Sequence, residues 1–288
     1  MSKIRIDPFY HQDSQSISYV VTDLASRQSA VIDPVLDFDI SSGKITTEFA
    51  DSIIEHLDKN GYELEWILET HAHCDHISAA CYIKQQRGGN TGIGEHIVKV
   101  QHMFKRILNL GDNFHCNGEQ FDQLFADEEL IKLGHLDVQV MHTPGHTPAC
   151  VSYLIEDAIF VGDVIASPDV GTVNLDFPNC SVTTLYQSIQ KILALPNSTR
   201  VFVGHNPHLT HAQNPMYETS IIAQKRTNKV VGGKVDLQEF VKLHQQQHND
   251  ATMPQLLLPA IQLNIRAGHL PPPEGEDNYF LKIPVNQW

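Results

Sequence analysis

Basic residues are scarce in this chain of 288: 20 lysines and arginines stand against 34 aspartates and glutamates, a formal net charge of −14. That balance argues against nucleic acid and anionic membrane as partners and favours a small-molecule substrate. No apolar run approaches the ~20 residues that a bilayer-spanning helix needs. Asp7-Pro8 interrupts the first stretch before a signal-like apolar segment can develop. The five cysteines, Cys74, Cys81, Cys116, Cys150 and Cys180, are odd in number and never form a C-x-x-C pair. A disulfide framework is therefore not expected, and a reducing, cytoplasmic setting is. There is no internal repeat to suggest a solenoid and no low-complexity tract, and 41% of the residues are hydrophobic, enough to bury a sizeable core.

The hydrophobic pattern reads as a layered α/β body. Short β-branched segments at 16–22 and 29–33 are expected strands, and 46–60 carries Phe49, Ile53, Ile54 and Leu57 at helical spacing before a capping Gly61. A buried strand is expected over 64–69 and a helix over 77–87. Further strands are expected at 136–141, 151–156, 158–161 and 200–203, with a helix at 183–195. From about Thr227 the pattern changes to a short helix at 237–247, an apolar segment at 256–265 and the run Pro271-Pro272-Pro273. The reading is a catalytic body over 1–226 and a C-terminal extension over 227–288 packed on it.

The run Thr70-His71-Ala72-His73-Cys74-Asp75-His76 directly follows the apolar Trp66-Ile67-Leu68. Alternation in an extended segment sends His71 and His73 to one face, and a helix starting just afterwards can return Asp75 and His76 to the same point. Imidazole and carboxylate together suit zinc or iron, whereas calcium and magnesium prefer all-oxygen sites. Cys74, inside this run, reads as a small side chain packed behind the turn. Three later residues each follow an expected strand: His146 in Thr143-Pro144-Gly145-His146-Thr147, Asp163 in Gly162-Asp163, and His205 in Gly204-His205. His142, His208 and His211 lie nearby in sequence as candidate hydrogen-bond partners.

H-x-H-x-D-H, T-P-G-H-T, G-D and G-H, in this order, resemble the metallo-β-lactamase superfamily. The resemblance implies a four-layer αββα sandwich over roughly 4–225, with the metal site at one edge of its two sheets. It implies His71, His73 and His146 on one metal, Asp75, His76 and His205 on a second, and Asp163 as the bridge. The run Thr143–Cys150 and the Gly162-Asp163 turn resemble the branch containing glyoxalase II and persulfide dioxygenases. Bacterial persulfide dioxygenase-like proteins are similar through Asp33-Pro34-Val35-Leu36-Asp37, Gly92-Ile93-Gly94-Glu95, Asp176-Phe177-Pro178 and Asn264-Ile265-Arg266-Ala267-Gly268.

That narrower likeness implies one non-haem Fe(II) held by His71, His146 and Asp163 as the catalytic set, with O2 and a thiol persulfide, such as glutathione persulfide, as reactants. His73, Asp75, His76 and His205 then surround the ligands. The alternative uses all seven groups for two Zn(II) ions and hydrolysis of a thioester or lactone. A nuclease, a third class, fits poorly with the acidic balance. The related bacterial proteins commonly carry an arginine between Gly171-Thr172 and Asp176-Phe177-Pro178, where this chain has Val173-Asn174-Leu175. Asn174 and Arg266 are therefore the candidate substrate-binding residues, and the identity of the thiol carrier stays open. A homodimer is a further expectation.

Overall fold

The computed structural model describes residues 3–286 apart from 176, 179, 208–216, 234, 250 and 251. In chain order the first strands are β1 (Ile4–His11), β2 (Ser16–Asp23), β3 (Gln28–Ile32), β4 (Val35–Asp39) and β5 (Lys44–Thr46). Helix α1 (Glu48–Asn60) follows, then β6 (Glu63–Leu68), β7 (Ile77–Ser78), α2 (Ala80–Arg87), β8 (Asn90–Gly94) and α3 (Ile97–Ile107). Next come β9 (Gln123–Phe125), β10 (Leu130–Leu133), β11 (Leu136–His142), β12 (Val151–Ile155) and β13 (Ala158–Phe160). The remainder is α4 (Val182–Leu193), β14 (Arg200–Phe202), β15 (Glu218–Ser220), α5 (Ile221–Thr227), α6 (Leu237–His248) and α7 (Leu257–Asn264).

Two six-stranded sheets, β1-β2-β3-β6-β8-β9 and β10-β11-β12-β13-β14-β15, lie face to face between helical layers. The period of two along each strand makes this possible. Tyr19, Val21, Ala30, Ile32, Trp66 and Leu68 point between the sheets toward Val138, Val140, Tyr153 and Phe160. Their neighbours Val20, Val31 and Ile67 face outward, against Ile53 and Leu57 of α1, Ile83 of α2 and Leu263 of α7. On the other sheet α4 and α6 supply Leu185, Ile189 and Phe240. Helices α4 and α6 begin at Ser181 and Asp236, whose side chains accept hydrogen bonds from the amides of Thr184 and Glu239.

The expected helix over 77–87 starts later than its pattern suggested. Ile77 and Ser78 pair antiparallel with Leu36 and Val35, and Ala79 N–H donates to the Pro34 carbonyl, so α2 begins only at Ala80. The strand β8 contains Gly92 and Gly94. Both are needed for close packing: a Cβ on Gly92 would strike the Phe125 ring, and one on Gly94 would strike Val151.

Beyond residue 227 the chain returns twice to the body. Helix α6 covers the segment 170–174, where Gln247 Nε2 donates to the carbonyls of Val170 and Thr172. Helix α7 runs under the histidine-rich turn. Asn264 Nδ2 donates to the carbonyls of His73 and His76, both at 2.9 Å, and its Oδ1 accepts from Ser78 N–H at 2.9 Å. Truncating this buried amide leaves three buried backbone groups unpaired. Asn264→Ala is expected to destabilise the chain by about 3 kcal/mol in urea unfolding. A cost under ~0.5 kcal/mol would show that the amide does not hold the turn.

Candidate metal centre

All seven expected metal-site residues meet at one edge of the sandwich, because each follows the end of a strand. The turn 69–76 leaves the end of β6, His146 lies between β11 and β12, Asp163 follows β13, and His205 follows β14. Since β3 runs parallel to β6 and β13 parallel to β14, these strand ends all open on the same edge. An isolated bridge between Ser16 and His205, with Ile17 N–H donating to the Gly204 carbonyl at 2.8 Å, ties the two sheets together there.

Glycine makes the approach of Asp163 possible. Gly162 has φ +50°, and a Cβ there would collide with Thr70 Oγ1. A Cβ on Gly204 would sit 2.6 Å from Asp163 Oδ1.

His71, His146 and Asp163 bring one ligand atom each to within 4.8 Å of one another, and all three are buried. Asp163 Oδ2 lies 3.9 Å from His71 Nε2 and 3.7 Å from His146 Nε2. Hydrogen bonds behind the rings set their tautomers. Thr70 Oγ1 spends its single proton on Asp33 Oδ2 at 2.8 Å, so it can only accept from His71 Nδ1 at 2.9 Å. His146 Nδ1 donates to the Asn174 carbonyl at 2.7 Å. Both imidazoles therefore turn a lone-pair nitrogen, Nε2, toward Asp163. Burial, with the neighbouring His73 and His146, pushes His71 well below the usual histidine range, which keeps it neutral. Thr70→Val removes this relay and is expected to weaken metal binding about tenfold in a chelator competition; unchanged affinity would mean that the relay does not orient His71.

The other four residues are engaged differently. His73 directs Nε2 at Asp33 Oδ1 (3.0 Å) and Glu69 Oε2 (3.4 Å). Burial opposes charge on His73, but these carboxylates outweigh it and hold its pKa well above the ordinary value. His205 is clamped between Asp163 Oδ1 (2.6 Å) and Asp75 Oδ2 (2.7 Å); against burial, the pair pulls its pKa well above the ordinary value. His76 places Nδ1 2.8 Å from Asp75 Oδ2 and is lowered to about 4, chiefly by burial. Asp75 and Asp163 are both held below the usual carboxylate range, because His205 overcomes their burial.

Metal fit is tested by the buried atoms left over. His71 Nε2, His73 Nδ1 and His76 Nε2 have no hydrogen-bond partner among the described residues. Three such orphans packed beside carboxylates would be costly unless an ion completes them. Besides the first trio, His73, Asp75 and His76 converge, as do Asp75, Asp163 and His205.

Several residues of the site escaped the sequence reading. Ser16 Oγ donates to Asp75 Oδ2 at 2.8 Å, yet a lone serine opening a strand carries no signal of this. Asp33 was visible only as part of a motif without a role. Gln247 and His248 of α6 line a cleft of about 270 Å³ together with His146, Asp163, His205 and Asn174. Asn174 is thus on the cleft wall. Arg266 is not: its guanidinium stacks 4.4 Å above the Phe114 ring and lines a separate cavity. Its place just beyond α7, which packs beneath the histidine turn, directs it away from the cleft. His142 hydrogen-bonds the Phe125 carbonyl at 3.1 Å and is outside the cleft, while Asp176, His208 and His211 lie outside the described residues. Cys74 is buried among Ala72, Ile93 and Phe104.

Residues 12–205 match the metallo-beta-lactamase superfamily. A beta-lactamase hydrolase-like protein of Xylella fastidiosa is 44% identical over 98% of this chain, which spans only 65% of that relative's length. Glyoxylase B2 of Dictyostelium discoideum is 43% identical over 99% of this chain and 98% of its own. The mitochondrial persulfide dioxygenase ETHE1 of Bos taurus is 26% identical over 92% of this chain and 89% of its own. Among solved structures, ETHE1 from Myxococcus xanthus superposes with a TM-score of 0.72 at 26% identity, covering 92% of this chain and all of that one. With this fold, this cluster of ligand atoms and relatives that align along almost its whole length, the chain belongs to the metallo-beta-lactamase superfamily.

Proposed function

We propose that the chain is a mononuclear non-haem Fe(II) persulfide dioxygenase, which converts a thiol persulfide, O2 and water into the thiol, sulfite and two protons. The observation that carries this reading is the buried trio His71, His146 and Asp163. It is a two-histidine, one-carboxylate set of the kind that leaves open positions on iron. Of the four remaining polar side chains, His205 is occupied by Asp75 and Asp163, and His73 by Asp33 and Glu69. The alignment with persulfide dioxygenases over most of the chain supports the same reading.

Iron bound by the trio supplies the redox chemistry through which O2 oxidises the outer sulfur of the persulfide. The chain's own groups do the rest. Asp163 keeps Oδ2 facing the histidines because His205 holds Oδ1. The hydrogen-bonded chain of Asp163, His205, Asp75 and Ser16 fixes these side chains in place beside the trio. Among the described residues, neither lysine nor arginine lines the cleft. The thiol carrier is then held by polar contacts, with Asn174, Gln247 and His248 at hand, rather than by a cation on its carboxylate.

A dinuclear zinc hydrolase of thioesters or lactones is the second reading. It is favoured by the convergence of His73, Asp75 and His76, with a buried ring nitrogen left without a partner on each histidine. Anaerobically iron-loaded protein given glutathione persulfide and then O2 is expected to consume one O2 for each sulfite formed. Silence in that assay, with rapid cleavage of a glutathione thioester by the zinc form, would reverse the two readings.

A further inference from the structure

The cavity that holds Arg266 lies apart from the metal cleft and shares no lining residue with it. It measures about 560 Å³ and opens between the loop after α3 and the tail after α7. One part of its wall is apolar, formed by Leu110, Phe114, Leu270, Pro271, Pro272 and Phe280, and polar side chains including Asn113, Gln120 and His269 make up the rest. In this setting Arg266 is only 7% exposed. Its guanidinium lies over the Phe114 ring, and Nη1 donates to the Gln262 carbonyl at 2.6 Å. No carboxylate among the described residues lies within ion-pair distance of it.

The other charged groups on the cavity wall do not neutralise it. Glu119 accepts from Asn117 Nδ2 at 3.0 Å and lies 2.8 Å from His115 Nδ1. Glu274 is exposed, and Lys282, whose Nζ donates to the Asn109 carbonyl at 3.2 Å, adds a second positive charge. Burial alone lowers Arg266 to about 10, still protonated at neutral pH. A buried cation without a counter-ion costs several kcal/mol, and a ligand that supplies the anion would recover much of that cost.

We infer that this cavity binds a small carboxylate with an apolar body, its carboxylate on the Arg266 guanidinium and its body against Phe114 and the proline run. The planar fork of guanidinium matches a carboxylate bidentately, and the aromatic and proline faces suit an aryl or alkyl chain. The site also has a route to the metal turn. Arg266 N–H donates to the Leu263 carbonyl, and the next residue, Asn264, grips the carbonyls of His73 and His76. Occupancy of the cavity is therefore positioned to bear on the turn that carries His71.

Calorimetric titration of the metal-loaded protein with 3-phenylpropionate tests the inference. Saturable binding is expected, with 3-phenylpropionamide about tenfold weaker because it lacks the charge. Arg266→Met should abolish carboxylate binding. Independently of any variant, the ring resonances of Phe114 in phenylalanine-labelled protein should shift on addition of the acid. Equal binding of acid and amide, binding that survives in R266M as capture at the metal would, or an unmoved Phe114 would each overturn it.

Discussion

Asp163→Ala is expected to lower persulfide turnover by about a thousandfold or more, because it removes the only carboxylate of the proposed iron-binding trio. Asp163 also faces the two lone-pair nitrogens of His71 and His146, so its loss leaves two imidazoles, which alone retain iron poorly. His71→Ala and His146→Ala should do the same. Replacements outside the trio separate the two readings. If one iron does the work, Asp75→Ala and His76→Ala act only through the surrounding hydrogen bonds and should cost roughly 10- to 100-fold in metal affinity or activity. If two zinc ions do the work, these same changes strip one ion and should cost as much as Asp163→Ala. Metal stoichiometry measured beside activity in each variant distinguishes the outcomes: one iron per chain retained in Asp75→Ala supports the trio, and loss of all metal contradicts it.

Removal of the metal is expected to lower the melting temperature by roughly 10 °C. An ion present at a thousand times its dissociation constant contributes about 4 kcal/mol to the folded state, and in a domain of this size each kcal/mol moves the midpoint by roughly 2–4 °C. The structural cause is local. Without an ion, His71 Nε2, His73 Nδ1 and His76 Nε2 are buried without partners, and the carboxylates Asp33, Glu69, Asp75 and Asp163 crowd the same space. Calorimetric scans before and after chelation, with metal added back, check this. An unchanged midpoint would mean that the strand ends hold the site rigid on their own.

The layers were legible in the sequence wherever one face of an element meets the core. The β-branched segment 16–22 is a strand with both faces buried, and the helical spacing of Ile53 and Leu57 marks the side of α1 that packs on it. The centre was legible because ligand chemistry leaves little choice of residue: three imidazoles and a carboxylate in one turn have few other uses. What escaped depends on contacts distant in sequence. Ser78 is 186 residues from Asn264, and Ser16 is 59 from Asp75, so no local pattern could join them. The need for glycine in β8 is of the same kind, since the side chains that fill the space beside Gly92 and Gly94 come from Phe125 and Val151. Arg266 was expected to meet substrate on account of its charge alone. Its burial on Phe114 could be read only once α7 had been placed beneath the metal turn.

The metal content of the protein isolated from its own cells bears most directly on the central claim that a single iron works between His71, His146 and Asp163. Foreign expression can load whichever ion is abundant, since affinity follows availability as well as geometry. The account predicts close to one iron per chain and little zinc, with iron content tracking O2 uptake on persulfide across preparations. Two zinc ions per chain, with thioester hydrolysis tracking their content, would contradict it.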